Sequence, residues 1–427
     1  MKRLTLVLLV LCLALPAFSL ELTYLASGQT IFVTPKDGFK TVDDKVIADF
    51  QKSHPGVTVK QLLVDLSTGS TMTIDAMIAA GVAPDVYSDT GVRSGKYAIP
   101  EYALDLAPYL SAKDLADIVP SLLAYGKKGE KILALPIATW AQGFAVNTDM
   151  LASVGYRLPV TMSAWTIDEF LLLSAKLKAA GKYSTALFAK NQSSDSWWMN
   201  WFASFGAAVF RNADYSHTTI NSPQAVAALN FLKTLVDKGY VPPGPAEIDD
   251  DVALEMWAKA EVAGLVMQSG HAPPSIKSAV DQKLLDKPFA YTFVELPHVA
   301  GLAHTQTTAG PTLIVVHKSN DPVRNKAAVE LALAFSSGEF MVEGAKRPGI
   351  FPARISIPNT APNDFGGVQI QAIMKTAGVM DVGFALPQFS EIRAQMFPLM
   401  QEFYAGRLTA QKVLDTYEAK VNGILKR

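Results

Sequence analysis

Strand and helix patterns alternate along the first part of this chain, and that alternation limits the possible folds more than any other feature. Leu22-Thr23-Tyr24-Leu25 reads as a short strand and Ala26-Ser27-Gly28-Gln29-Thr30 as a small-residue loop, while Val42, Val46, Ile47 and Phe50 fall on one helical face. His54-Pro55-Gly56 stops that helix before the alternating strand Val57-Thr58-Val59. Ile74, Met77 and Ile78 mark a second helix, which Gly81 and Pro84 end ahead of Asp85-Val86-Tyr87-Ser88. Repetition of strand, helix, strand predicts a mostly parallel sheet with helices against it, and makes the strand-end loops the expected ligand sites.

A chain of 427 residues that is 49% hydrophobic is too long for one core, so two domains are expected. Lysine plus arginine number 38 against 39 acids, a formal charge of −1. That balance leaves no basic field to displace counterions from a nucleic-acid backbone, and nucleic acid is excluded as the main partner. No block of like charge occurs, and the apolar content excludes a disordered chain.

The first residues have a separate logic. Lys2 and Arg3 precede an apolar run from Leu4 to Leu15, then Pro16 and the triplet Ala17-Phe18-Ser19. This is the pattern of a secretory signal, with cleavage expected after Ser19 and release to the periplasm or the cell exterior. The run is shorter than the roughly 20 residues that cross a bilayer. The single cysteine, Cys12, lies inside it; a lipoprotein reading would acylate Cys12, but Leu11 stands where a small residue is needed. Without the leader the chain has no thiol, which removes disulfides, thiolate nucleophiles and cysteine metal sites. Core burial alone must then hold the fold together.

Further on, Ile132 to Pro136 and Gly143 to Val146 read as two strands with a turn around Trp140. The middle of the chain is rich in helix patterns: Trp165 to Lys178, Trp197 to Phe205, and Ala225 to Asp237 closed by Gly239. Val262 to Met267 and Leu313 to Val316 are buried-strand candidates, and Glu391 to Lys426 reads as helix broken at Tyr404-Ala405-Gly406.

The order of these segments resembles the extracellular solute-binding proteins of bacterial ABC importers, in particular their sugar-binding group. The matching residues are Asp49-Phe50 with His54-Pro55-Gly56-Val57; Gly81 to Val86; Leu104-Asp105-Leu106; Leu135-Pro136 leading to Val146-Asn147; and Trp165-Thr166 with Glu169-Phe170. Gly239-Tyr240, Gly310 with Asn320-Asp321, and Gly349-Ile350-Phe351-Pro352 continue the series. The resemblance implies an α/β, two-lobed periplasmic-binding-protein fold with mixed, mostly parallel sheets, hinge strands and a ligand cleft between the lobes. It implies a first lobe of residues 20–138 and 301–357 and a second of 139–300 and 358–427. The implied activity is capture of a carbohydrate by hinge closure, as a monomer, and delivery to the membrane permease subunits of an importer. No cofactor, metal or nucleic acid is implied. A receptor-coupled sensor for an acidic sugar or another polar solute is the alternative, and a secreted glycoside hydrolase a more distant one.

Catalytic motifs give the enzyme reading no support. Gly-x-Ser-x-Gly, Ser-x-x-Lys and His-Glu-x-x-His do not occur, and Gly91 to Lys96 is one residue short of a phosphate loop. The six histidines never take the spacing that sets two metal ligands on one helix face. Glu247, Asp249, Asp250, Asp251 and Glu255 precede a helix, where carboxylates cap free N–H groups.

Sugars present a flat C–H face and a rim of hydroxyls, so their sites combine stacking rings with hydrogen-bonding side chains. The resemblance implies cleft contacts from Asp89 and Thr90 after a first-lobe strand, from Trp140 as a stacking platform with Gln142 beside it, and from Asp195, Trp197 and Trp198 at a helix start. Gly270 and His271 form a second-lobe strand-end loop; Gln29 and Thr308 complete the lining. Arg393 stands where relatives have an aromatic platform, and its guanidinium is suited to paired hydroxyls or a carboxylate. Trp165 and Trp257 are expected to be structural.

Overall fold

The computed structural model describes residues 19–27, 42–64, 70–90, 94–161, 164–211, 215–268, 271–302, 306–307, 309–336, 338–345, 350–357, 378–383, 386 and 388–427. Residues 1–18 of the segment expected to be a signal, 1–19, lie outside them.

The chain begins as the alternation predicts. Strand β1 (Leu20–Ser27), helix α1 (Val42–Ser53), strand β2 (Val57–Val64), helix α2 (Ser70–Ala79) and strand β3 (Val86–Thr90) follow in order. β1 is parallel to β2 on one edge and to β3 on the other. Val42, Val46, Ile47 and Phe50 are all buried, the face that the spacing marks as apolar.

Next comes the 13-residue strand β4 (Leu135–Asn147), followed by α3 (Ile167–Ala179), β5 (Tyr183–Thr185), α4 (Asp195–Ser204), α5 (Pro223–Asp237) and α6 (Asp250–Ala258). β6 (Val262–Gln268), α7 (Ala272–Asp281), β7 (Tyr291–Val294), the two-residue β8 (Gln306–Thr307), β9 (Ala309–Val316) and α8 (Pro322–Ser336) continue the chain. It ends with β10 (Ile350–Pro352), β11 (Gly378–Val379), α9 (Phe389–Arg393), α10 (Met396–Tyr404) and α11 (Ala410–Leu425).

Strand order in the large sheet is β2-β1-β3-β9-β4-β6-β5, with β10 and β7 also pairing with β4. The parallel pairings are in the outer strands, β1 with its two neighbours and β5 with β6. Every pairing of β4 is antiparallel.

Two lobes follow from the distribution of buried side chains. One core draws on Phe144 to Leu296 and on Met380 to Ile424. Two adjoining clusters draw on Leu20 to Ala138 and on Leu313 to Ala353. β4 is common to both lobes: its first half pairs with β9 and β10, its second with β6 and β7.

The turn expected around Trp140 is not formed. Trp140 is paired with Gly310 on one side and Ile350 on the other, and the strand remains extended. Of the residues around Trp140 only Gly143 is a turn former, and the neighbouring strands supply backbone partners on both sides of the crossing.

Candidate functional site

The pairing partners change at Trp140 and Gln142. Trp140 is the last residue of β4 to pair with β10, and Gln142 the first to pair with β6, through Gln268. Across the first-lobe sheet, Thr90 pairs with Thr312, and Thr312 with Ala138. A stepped row of backbone therefore runs across the sheet from Thr90 to Ala138, along β4 to Trp140 and Gln142, and across again to Gln268. A crevice where strand partners change is the usual ligand position in α/β sheets.

Several of the expected site residues lie on or near this row. For Thr90, Trp140 and Asp195 the structure describes the backbone; Gln29, Gly270 and Thr308 lie outside the described residues. Asp89 is buried, and Tyr87 Oη donates to its Oδ2 at 2.6 Å while Ser94 Oγ donates to its carbonyl oxygen at 3.2 Å. Those contacts are local to the strand end and fit a structural acceptor. Gln142 is buried too, and its Oε1 accepts from Asn200 Nδ2 at 2.8 Å. Asn200 was not foreseen as a site residue. Its signal in the sequence is a single amide inside the otherwise apolar run Trp197 to Ala203, a residue type that is buried only with a partner.

Trp197 and Trp198 require correction. Both are 1% exposed. Trp197 packs on Phe188 and Trp201, with ring centroids 5.2 and 6.0 Å away, and Trp198 on Phe202 and Tyr417 at 5.1 and 6.3 Å. Their faces are covered by the second-lobe core, so no surface remains for a sugar to stack on. Aromatic density at helical spacing here means core. Trp165 and Trp257 are fully buried, as expected of structural residues.

His271 opens α7 and is exposed. The protein around its ring lowers its pKa below the ordinary value by desolvation, and Asp250 and Asp251 oppose that shift. Asp250 raises the pKa of Asp251. Asp249 caps α6, accepting from the Val252 amide at 3.0 Å, and its pKa is lowered mainly by that bond. The acidic cluster is thus a helix start, and no group of metal-ligating side chains occurs among the described residues. Lys96, from the phosphate-loop candidate, pairs with Asp75 at 2.6 Å. Arg393 is half-buried at the end of α9 in the second lobe, and strand pairing does not place it on the row.

Burial lowers the pKa of the half-buried His317, and the Asp85 charge opposes that shift. Below about pH 6.5, the ordinary histidine value, the unfolded chain binds a proton that folded His317 resists, so stability falls as pH drops toward its lowered value. His317→Gln should flatten part of that decline in melting temperature between about pH 7.5 and 5.5. An unchanged slope would show that His317 titrates alike in both states.

Among the described residues no helix is long and apolar enough to cross a membrane. Residues 34–339 match the family model of the bacterial extracellular solute-binding protein. The "Probable ABC transporter-binding protein" of Deinococcus radiodurans is 24% identical over 221 residues, 49% of this chain and 50% of that protein. The chain spans about half the length of the curated relatives it matches. Solved structures extend the likeness in fold over nearly the whole chain. A solute-binding protein of Thermotoga lettingae bound with α-D-tagatose has a TM-score of 0.75 at 22% identity, covering 95% of this chain and 100% of that one. An ABC substrate-binding protein of Listeria monocytogenes in complex with cycloalternan has a TM-score of 0.74 at 19% identity, covering 96% and 99%. With the family model matched over most of its length and a two-lobed fold around a shared crossing strand, the chain belongs to the bacterial extracellular solute-binding protein family.

Proposed function

We propose that the protein captures a carbohydrate between its lobes and delivers it to the membrane permease of an ABC importer, binding its ligand without turning it over. The observation that carries this reading is the crossing strand Leu135–Asn147, whose change of partners at Trp140 and Gln142 joins two separately packed lobes. Similarity in fold to proteins solved with tagatose and cycloalternan supports carbohydrate as the ligand class. The chain passes to the second lobe near Thr139, returns near Gly301 and crosses again near Pro358, and it acts as a monomer released after Ser19. Trp140 is the stacking platform, with Thr90 contributing from the first lobe and His271 from the second.

A thermal-shift panel of mono-, di- and oligosaccharides, uronates, amino acids and polyamines tests the class. A ligand at 100 times its dissociation constant adds about 2.7 kcal/mol of stability. A carbohydrate should raise the melting temperature and come back without new reducing ends. A rise with amino acids or polyamines alone would overturn the ligand class, and new reducing ends would overturn the binding role. Trp140→Ala should cost about 1–3 kcal/mol of affinity for the carbohydrate found, measured by calorimetry.

A further inference from the structure

Tyr125 is packed against both cores. It belongs to the turn Ala124–Gly126 of the first lobe, yet its side chain contacts the second-lobe cluster as well as the first-lobe cluster around Tyr87 and Leu313. In the second lobe, a carboxylate is held in place by its own neighbours. Asp381 is exposed; the Gly383 amide donates to its Oδ1 at 2.8 Å, and Tyr215 Oη donates to its Oδ2 at 2.7 Å. Tyr215 is held at φ 51°, a conformation that bulky L-residues rarely adopt, and its ring meets Phe210 edge-on at 5.2 Å. Phe210 in turn packs so close to Gly383 that an added Cβ would lie 2.8 Å from its ring. Such a strained, over-determined cluster is costly to keep without a role.

We infer that Tyr125 of the first lobe and the Tyr215–Asp381 pair of the second form a latch that stabilises, without ligand, the lobe arrangement seen here. The electrostatics agree. Burial raises the pKa of the Tyr125 hydroxyl and the Asp381 charge raises it further, which supports the partnership that the packing of Tyr125 on both cores suggests. Lobes joined by crossing strands rotate with little internal repacking, so a few contacts away from the crossing segments weigh heavily on their equilibrium. This inference stands apart from the identity of the ligand: the contact is protein on protein, and it biases the ligand-free chain.

Spin labels at Val82→Cys and Leu172→Cys, 61% and 58% exposed on opposite lobes, test it in the full chain with Cys12→Ser. Double electron–electron resonance without ligand then reads the lobe separation. Tyr125→Ala should lower the ratio of the wild-type distance to all others about tenfold, the equivalent of about 1.4 kcal/mol. Tyr125→Phe and Asp381→Asn, which keep the packing and remove one polar group each, should lower it by a smaller and similar factor. A wild-type distance distribution in Tyr125→Ala would overturn the latch. If that variant fails to fold by circular dichroism, unchanged distributions in both conservative variants would overturn it equally.

Discussion

Arg324→Met should lower the unfolding free energy by about 3–5 kcal/mol, because it strands a carboxylate that has almost no access to water. The side chain of Asp85 is 9% exposed, and Arg324 Nη1 donates to both of its oxygens at 2.7 Å. The Thr23 amide adds a third bond at 2.8 Å, and Arg324 Nη2 also reaches the Glu21 carbonyl at 3.0 Å. This one pair therefore ties β1 and the start of β3 to α8. Removing the guanidinium leaves Asp85 with the Thr23 amide and little else to offset its desolvation. Urea unfolding of the first lobe measures the loss; a change under about 1 kcal/mol would mean that water replaces Arg324 freely.

Trp198→Ala should cost about 3–5 kcal/mol of second-lobe stability, the range for emptying a buried aromatic site. The ring lies between Phe202 of its own helix and Tyr417 of α11, so truncation leaves a cavity that joins two helices and has no route to collapse. A binding role would behave in the opposite way, with affinity lost and melting temperature kept. If Trp198→Ala melts within about two degrees of wild type, where 1 kcal/mol corresponds to a few degrees, the ring is not core.

These two residues also show what the sequence makes legible. Local periodicity located β1, α1, β2, α2 and β3 well, since the buried face of α1 and the His54-Pro55-Gly56 stop are set by neighbours in the chain. Distant partners were not visible. Asp85 reads as the first residue of a strand, and nothing near it announces an ion pair with Arg324, 239 positions away. For the same reason the segment around Trp140 read as a turn, because the strands that keep it extended come from β6, β9 and β10. Pairing brings only the neighbourhood of the expected site together: Thr90 reaches Ala138 through Thr312, and Trp140 and Gln142 follow along the same strand. The site was less legible as side chains. Asp195 to Trp201 looks the same in sequence whether its rings face a cleft or a core, and burial decided for the core at Trp197 and Trp198. Tyr125 and Asp381 carried no signal, since their partnership exists only where two lobes meet.

Capture of a carbohydrate between mobile lobes is the central claim, and small-angle X-ray scattering tests it most directly. A ligand shifts a two-state equilibrium only through contacts that differ between the states, so one that bridges the walls of the crevice must draw the lobes together. With the carbohydrate that most raises the melting temperature at saturation, the radius of gyration should fall relative to the ligand-free protein, and Trp140→Ala should need more ligand for the same fall. Identical scattering with and without a bound carbohydrate would contradict the account.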